Sequence, residues 1–139
     1  MNPQDFIEEM RWRGLVMQMC DETSIKEYLG SRAKTLYCGF DPTADSLHIG
    51  SLVPLLALRR FQQQGHRPLL LLGGATGLIG DPSGRDDERS LNGTETVGQW
   101  VEALRTQVRR FLDFDAADGS AAKIVNNLGL TADLSVIDF

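Results

Sequence analysis

The sequence predicts an open, doubly wound α/β fold built on a parallel sheet, with helices ahead of it. Three observations point there. Segments rich in strand formers, Thr35–Phe40, Leu69–Leu72 and Lys123–Asn127, alternate with stretches of helical apolar spacing, the order that builds parallel crossover units. The first two strands run directly into Asp41-Pro42 and Gly73-Gly74, residues that end ladder pairing. The 139 residues are 42% hydrophobic and 24% charged, which suits one domain that buries roughly 68% of its unfolded surface.

In chain order, Pro3 to about Met19 sets Phe6, Met10, Leu15 and Met17 among charges and predicts a helix, weakened in its middle by Gly14. A second helix is expected from Glu22 to Leu29, stopped at Gly30-Ser31. After the first strand, Leu47, Leu52, Leu55, Leu56 and Leu58 through Phe61 predict a helix that begins near His48 and closes at Gly65-His66-Arg67-Pro68. The run Leu69-Leu70-Leu71-Leu72 has no polar alternation, as expected of a strand buried on both faces. A polar, charged stretch reaches Asn92, and a helix follows from Thr94, a candidate cap, to Leu112, with Val97, Val101, Leu104 and Val108 on one side. Beyond the third strand, Leu134–Phe139 begins another helix. The sheet looks unfinished, because nothing follows the third strand to extend it.

The 14 basic and 19 acidic residues leave a formal charge of −5 and a pI near 4.9. That balance excludes a module that grips nucleic acid by bulk electrostatics, so RNA contact must be local or supplied elsewhere. Cys20 and Cys38 belong to no Cys-x-x-Cys pair or metal-spaced cluster, so a reduced, cytoplasmic compartment and no metal site are expected. The first residues, with Glu8 and Glu9, lack the basic start and apolar stretch of a signal peptide. No apolar run approaches the ~18 residues of a membrane span.

In sheets of this kind, ligands bind outside the carboxyl ends of the strands. Three loops qualify: Gly39 to Gly50, Gly73 to Arg89, and the segment from Asn126. In the first, a helix starting near His48 offers backbone N–H groups and a positive dipole end, and Gly50 lets a ligand lie close. Thr43 and His48 could donate to a phosphate whose charge grows in a transition state. The competing reading is that Asp45 or Ser46 caps the helix and His48 is an ordinary surface residue. The second loop holds Gly73, Gly74, Gly77, Gly80 and Gly84, which permit close backbone approach or simply form turns. It matches neither a Walker loop nor Gly-x-Gly-x-x-Gly. Asp81 could take a substrate ammonium or stabilise its own turn. Arg85 and Arg89, among Asp86, Asp87 and Glu88, could reach pyrophosphate or form a solvated face. Tyr37 points opposite to Leu36 and Cys38, so its hydroxyl either enters the ligand crevice or finds a partner in the core. His66 lies in a helix-ending turn, with no catalytic part expected.

Taken together, Trp12-Arg13-Gly14-Leu15-Val16, the string Leu36 to Gly50, Arg59-Arg60-Phe61-Gln62-Gln63, the string Gly73 to Gly84, and Phe111-Leu112-Asp113-Phe114 resemble the start of the catalytic domain of bacterial tyrosyl-tRNA synthetases, a class I aminoacyl-tRNA synthetase family. The resemblance covers essentially the whole chain. It implies the first half of a doubly wound, Rossmann-like catalytic domain, with residues 1–33 a helical lead-in and 34–139 an incomplete nucleotide-binding unit. It implies activation of tyrosine by ATP to tyrosyl-adenylate and transfer to tRNA(Tyr). ATP is then a substrate accompanied by Mg2+, no cofactor is tightly bound, and relatives are homodimers.

The same match implies residue roles. His48-Ile49-Gly50-Ser51 occupies the family's His-Ile-Gly-His signature and departs from it at Ser51. Thr43 and His48 would stabilise the transferring phosphate, with Arg85 and Arg89 holding pyrophosphate. Tyr37 would bond the substrate phenol, Asp81 its ammonium, and Thr76 and Asn127 would line the tyrosine pocket. Cys38, Gly39, Asp41, Gly50 and Ser51 would border ATP. Arg85 stands where some relatives have Lys, and Leu128-Gly129-Leu130 replaces a more usual Tyr-Asp-Trp or Ala-Asp-Trp. A site built to bond the tyrosine hydroxyl can reject phenylalanine by ~10⁵, because its polar groups are otherwise left unpaired, a discrimination the resemblance implies for this family. The chain is expected to carry half an active site, without the later Gly-Ser-Asp-Gln and Lys-Met-Ser-Lys-Ser-like segments, and to be inactive alone. Two alternatives remain open: a small adenylyltransferase with a similar His-containing loop, and a non-catalytic binding or assembly fragment.

Overall fold

The helices and strands of this computed structural model follow the expected alternation, and the structure describes residues 5–79 and 93–132. Helices α1 (Asp5–Trp12) and α2 (Glu22–Ser31) precede strand β1 (Thr35–Phe40). A 3-10 turn at Ile49–Ser51 leads into α3 (Leu52–Gln63), then β2 (Arg67–Leu72), α4 (Gly74–Ile79), α5 (Thr94–Val108), β3 (Lys123–Asn126) and α6 (Leu128–Thr131). The expected helix over Leu134–Phe139 lies outside the described residues. Among the described residues, no helix is long and apolar enough to cross a membrane.

The first helix is shorter than its apolar spacing predicts. It ends at Trp12 because Gly14 adopts φ +69°. Gly14 N–H donates to Arg11 O and Leu15 N–H to Met10 O, both at 2.9 Å, which is the paired closure of a left-handed glycine cap. Leu15 and Met17, which prolonged the helical pattern, lie beyond that cap, and Met17 is fully exposed. The second helix starts where Asp21 accepts from Thr23 N–H and Ser24 N–H at 3.1 and 3.4 Å, a side-chain N-cap. The expected cap at Thr94 is not used: Gly93 holds that position with no side-chain bond, and Thr94 is the first helical residue. That helix also stops at Val108, where Arg110 and Phe111 N–H groups donate to the carbonyls three residues back, although Leu112 stays in the core.

The three strands pair in parallel in the order β1-β2-β3, with Cys38 opposite Leu70 and Leu70 opposite Ile124. Two crossovers that step the same way across a sheet put their helices on one face. Leu55 and Leu58 of α3 and Val97, Val101, Leu104 and Val108 of α5 accordingly share one buried cluster with Phe40, Leu70 and Leu72. The opposite face carries Tyr37, Gly39, Leu69, Leu71 and Val125, and among the described residues Leu69 and Leu71 are only half-buried there. Burial of β2 therefore alternates, and the expectation of a strand buried on both faces is corrected. Four leucines in a row do not show which two face the helices.

A second cluster joins the lead-in to the outer side of α3. Phe6, Ile7 and Met10 of α1 and Leu29 of α2 surround Phe61, whose ring meets Phe6 edge-on at 5.5 Å and stacks on His66 at 4.4 Å. His66 is 1% exposed, and its Nδ1 accepts from Lys34 N–H at 3.2 Å. That bond leaves the proton of the neutral ring on Nε2. Burial, and then the Lys34 charge, hold the imidazole below its ordinary value. The unfolded chain therefore takes up this proton first as pH falls. His66 contributes its full stability above about pH 6.5 and loses it progressively below. The urea midpoint is expected to fall between about pH 7.5 and 5.5, and to fall less in His66→Gln. An equal fall in both proteins would contradict this role.

Candidate functional site

The carboxyl ends of the three strands meet at one edge of the sheet, where hydrogen bonds tie their loops together. Gly73 N–H donates to Phe40 O at 3.0 Å and Asn127 N–H to Leu72 O at 2.9 Å, extending the ladder past each strand. Thr76 Oγ1 donates to Asp41 Oδ1 at 2.7 Å, so the loop after β1 is bonded to α4. Asn127 Oδ1 accepts from Ala75 N–H at 2.7 Å, so the loop after β3 holds the start of α4 as well.

These bonds explain the paired glycines. A Cβ on Gly73 would stand 2.1 Å from Asp41 Oδ1 and 2.3 Å from Thr76 Oγ1, and one on Gly74 would stand 2.2 Å from Asn126 Oδ1. Neither residue has a positive φ. Glycine is required there so that side chains from the other two loops can cross the backbone, which is neither a turn former nor an empty cradle. Asn126, whose Oδ1 also accepts from Leu128 N–H at 3.0 Å, was not singled out by the sequence reading.

His48 occupies the cap position of the 3-10 turn, and no side chain caps it. Neither Asp45 nor Ser46 therefore has the capping role. The expected helix start near His48 is a tight turn, closed by Ser51 N–H on His48 O at 2.9 Å, before α3 begins at Leu52. A Cβ on Gly50 would lie 3.0 Å from both Cε1 and Nδ1 of His48. The space expected for a ligand at Gly50 is thus taken by the His48 ring. Thr43, Asp41 and His48 are exposed, while Ser51 is buried at 8%.

Tyr37 stands on the open face of the sheet, 68% exposed. Gly39 lies two residues along the same face, and a Cβ there would meet nothing within 4 Å, so bare backbone adjoins the phenol. Cys38 belongs to the helix-covered face, half-buried, and burial pushes its thiol up. It is a neutral thiol, a weak donor and not a poised nucleophile. Asp81, Arg85 and Arg89 lie outside the described residues.

One contributor was missed altogether. Gln107, in the last turn of α5, accepts from Leu47 N–H at 3.1 Å and donates to Asp45 O at 3.0 Å. Its partners are backbone atoms some sixty residues away, so no spacing in the sequence marks it.

The family described as tRNA synthetases class I (W and Y) matches residues 31–139. The chain is 58% identical over 135 residues to a tyrosine–tRNA ligase of Bacillus caldotenax, covering 97% of this chain and 32% of that protein. It is 53% identical over 139 residues to the tyrosine–tRNA ligase of Pectobacterium atrosepticum, covering all of this chain and 32% of that one. It thus spans about a third of the length of these curated relatives. Among solved structures, a C-terminally truncated mitochondrial tyrosyl-tRNA synthetase of Aspergillus nidulans superposes with a TM-score of 0.76 at 24% identity, over 96% of this chain and 40% of that one, a likeness of fold. The corresponding Coccidioides posadasii enzyme gives 0.74 at 26%, over 96% and 38%. The expected parallel α/β architecture and the resemblance drawn from the strings around Asp41 and Gly73 are both borne out, and the chain belongs to the class I tRNA synthetase family of the tryptophan and tyrosine enzymes.

Proposed function

We propose that this chain is the first part of a tyrosine–tRNA ligase catalytic domain, which activates tyrosine with ATP and passes the tyrosyl group to tRNA(Tyr). The observation that carries the reading is the meeting of the His48 loop, the Gly73–Thr76 segment and Asn127 at the carboxyl edge of the sheet, where open α/β sheets bind ligands. Its support in sequence is the identity of 58% to the Bacillus caldotenax ligase.

In this reading the tyrosine ring lies on the open face beside Leu69 and Leu71. The Tyr37 hydroxyl bonds the substrate phenol, and the bare Gly39 backbone lets the α-carbon end and the adenylate pass close. Asp81 takes the substrate ammonium. Asp41 borders the ATP and Thr76 the tyrosine, while Asn127 fixes α4 beneath them. The backbone of Cys38, whose thiol lies under the helices, and the turn at Gly50 and Ser51, which the His48 ring covers, complete the ATP side from behind. Thr43 and His48 donate to the α-phosphoryl oxygens as charge builds during attack by the tyrosine carboxylate. Arg85 and Arg89 steady the departing pyrophosphate, with Mg2+ entering as the partner of ATP. We place the protein in the cytoplasm, as a homodimer, with residues 1–33 a lead-in and 34–139 the nucleotide-binding unit.

The test joins this chain to the residues that follow the matched segment in the Bacillus caldotenax ligase and measures ATP–pyrophosphate exchange. Exchange that requires tyrosine and is not supported by phenylalanine is expected. Exchange supported equally well by other amino acids, or none at all from a folded protein, would overturn the assignment.

A further inference from the structure

We infer that Gln107 is a positioning residue for the His48 loop, holding the segment before His48 from the last turn of α5. This rests on reading His48 as a donor to the reacting phosphate. Gln107 precedes Val108, which is fully buried, so its backbone is anchored at the end of α5. Its carboxamide oxygen accepts a hydrogen bond from Leu47 N–H and its nitrogen donates one to the carbonyl of Asp45. One planar group thus reproduces the two bonds of a neighbouring strand across residues 45–47.

The loop has little else to hold it. Among the described residues, its backbone–backbone bonds are Thr43 N–H to Asp41 O and Ser51 N–H to His48 O, one at either end. Among the described residues, the hydrogen bonds reaching residues 44–47 are the two from Gln107. The Leu47 side chain packs against the main cluster, so the residue before His48 is held by its side chain from below and by its amide from α5. His48 itself makes no capping bond that would fix its own backbone. Release of the carboxamide therefore frees the segment on which the imidazole is mounted, while the core beneath keeps its apolar contacts. An imidazole displaced by about 1 Å loses on the order of a hundredfold in rate.

Two variants separate positioning from general support. Gln107→Met keeps the length and removes both bonds. Gln107→Glu keeps an acceptor for Leu47 N–H and removes the donor to Asp45 O. The first measurement is amide hydrogen exchange in the 139-residue chain by NMR. Exchange at Leu47 is expected to speed up roughly tenfold in Gln107→Met and less in Gln107→Glu, with Val101 and Leu104 unchanged. The second is pyrophosphate exchange in the chain joined to the remaining two thirds of the Bacillus caldotenax ligase. There, kcat is expected to fall about 10- to 100-fold with KM for tyrosine unchanged. Unaltered protection at Leu47, or a fall in protection that spreads evenly through α5, would overturn the inference, as would an unchanged kcat. Should Gln107→Met fail to fold, Gln107→Glu carries the same comparison. A joined parent protein without exchange would count against the tyrosine-activation reading alone, and the amide measurement would still decide the role of Gln107.

Discussion

Gly73→Ala is expected to destabilise the fold by about 1–3 kcal/mol, the range found for overpacking a filled site. The added methyl would overlap Asp41 Oδ1 and Thr76 Oγ1, neither of which is the end of a long, yielding side chain. Either their mutual bond opens, or the end of β2 moves and strains the Gly73 N–H bond to Phe40 O. Both routes loosen the junction of the first two loops. Gly39→Ala is the control, because a Cβ there meets nothing within 4 Å; its midpoint is expected to shift by less than about 0.5 kcal/mol. Urea denaturation of the three proteins at a common slope reads both effects. Equal midpoints for Gly73→Ala and the parent would mean that the loops are not locked at this point.

The second large effect concerns chemistry. In the protein extended by the relative's remaining residues, His48→Ala is expected to lower kcat for tyrosine-dependent exchange by about 10²–10³, the loss typical of one transition-state donor. KM for tyrosine should stay within about twofold, because a group that meets only the reacting phosphate adds nothing to ground-state tyrosine binding. Tyr37→Phe gives the opposite split. Removing a hydroxyl from the open face weakens tyrosine in ground and transition state alike, so KM rises and kcat changes little. Steady-state kinetics on both variants reads the contrast. A His48→Ala enzyme with raised KM and normal kcat would assign that ring to tyrosine binding and remove it from the phosphate.

Much of this was legible in the chain because it depends on local chemistry. Thr35–Phe40 reads as a strand from its residue types and ends at Asp41-Pro42, and the stripe Val97, Val101, Leu104, Val108 gives the buried side of α5 directly. The long strings around His48 and Gly73 carry the family. What was not legible depends on where other segments lie. The four leucines of β2 alternate in burial only because both crossover helices cover one face. Gly14 ends α1 by its φ, and an apolar pattern continuing past it gives no sign of that. The glycines at 73 and 74 look like any turn until Asp41 and Asn126 are seen to cross them. Gln107 is invisible to spacing because it bonds backbone, and backbone looks the same in every sequence. Asp41, Thr76 and Asn127 were each singled out as ligand-facing, yet in the described residues Thr76 is bonded to Asp41, and Asn127 to Ala75. We assign them to shaping the pocket as much as to lining it.

We propose that the open face at Tyr37 and the loop at His48 together receive one tyrosyl-adenylate. The most direct measurement is a crystal structure of the extended protein with a non-hydrolysable tyrosyl-adenylate analogue. The phenol is expected within hydrogen-bond distance of the Tyr37 hydroxyl, with the phosphate mimic against residues 43–50. An analogue bound on the helix-covered side, or held by residues remote from both Tyr37 and His48, would contradict it.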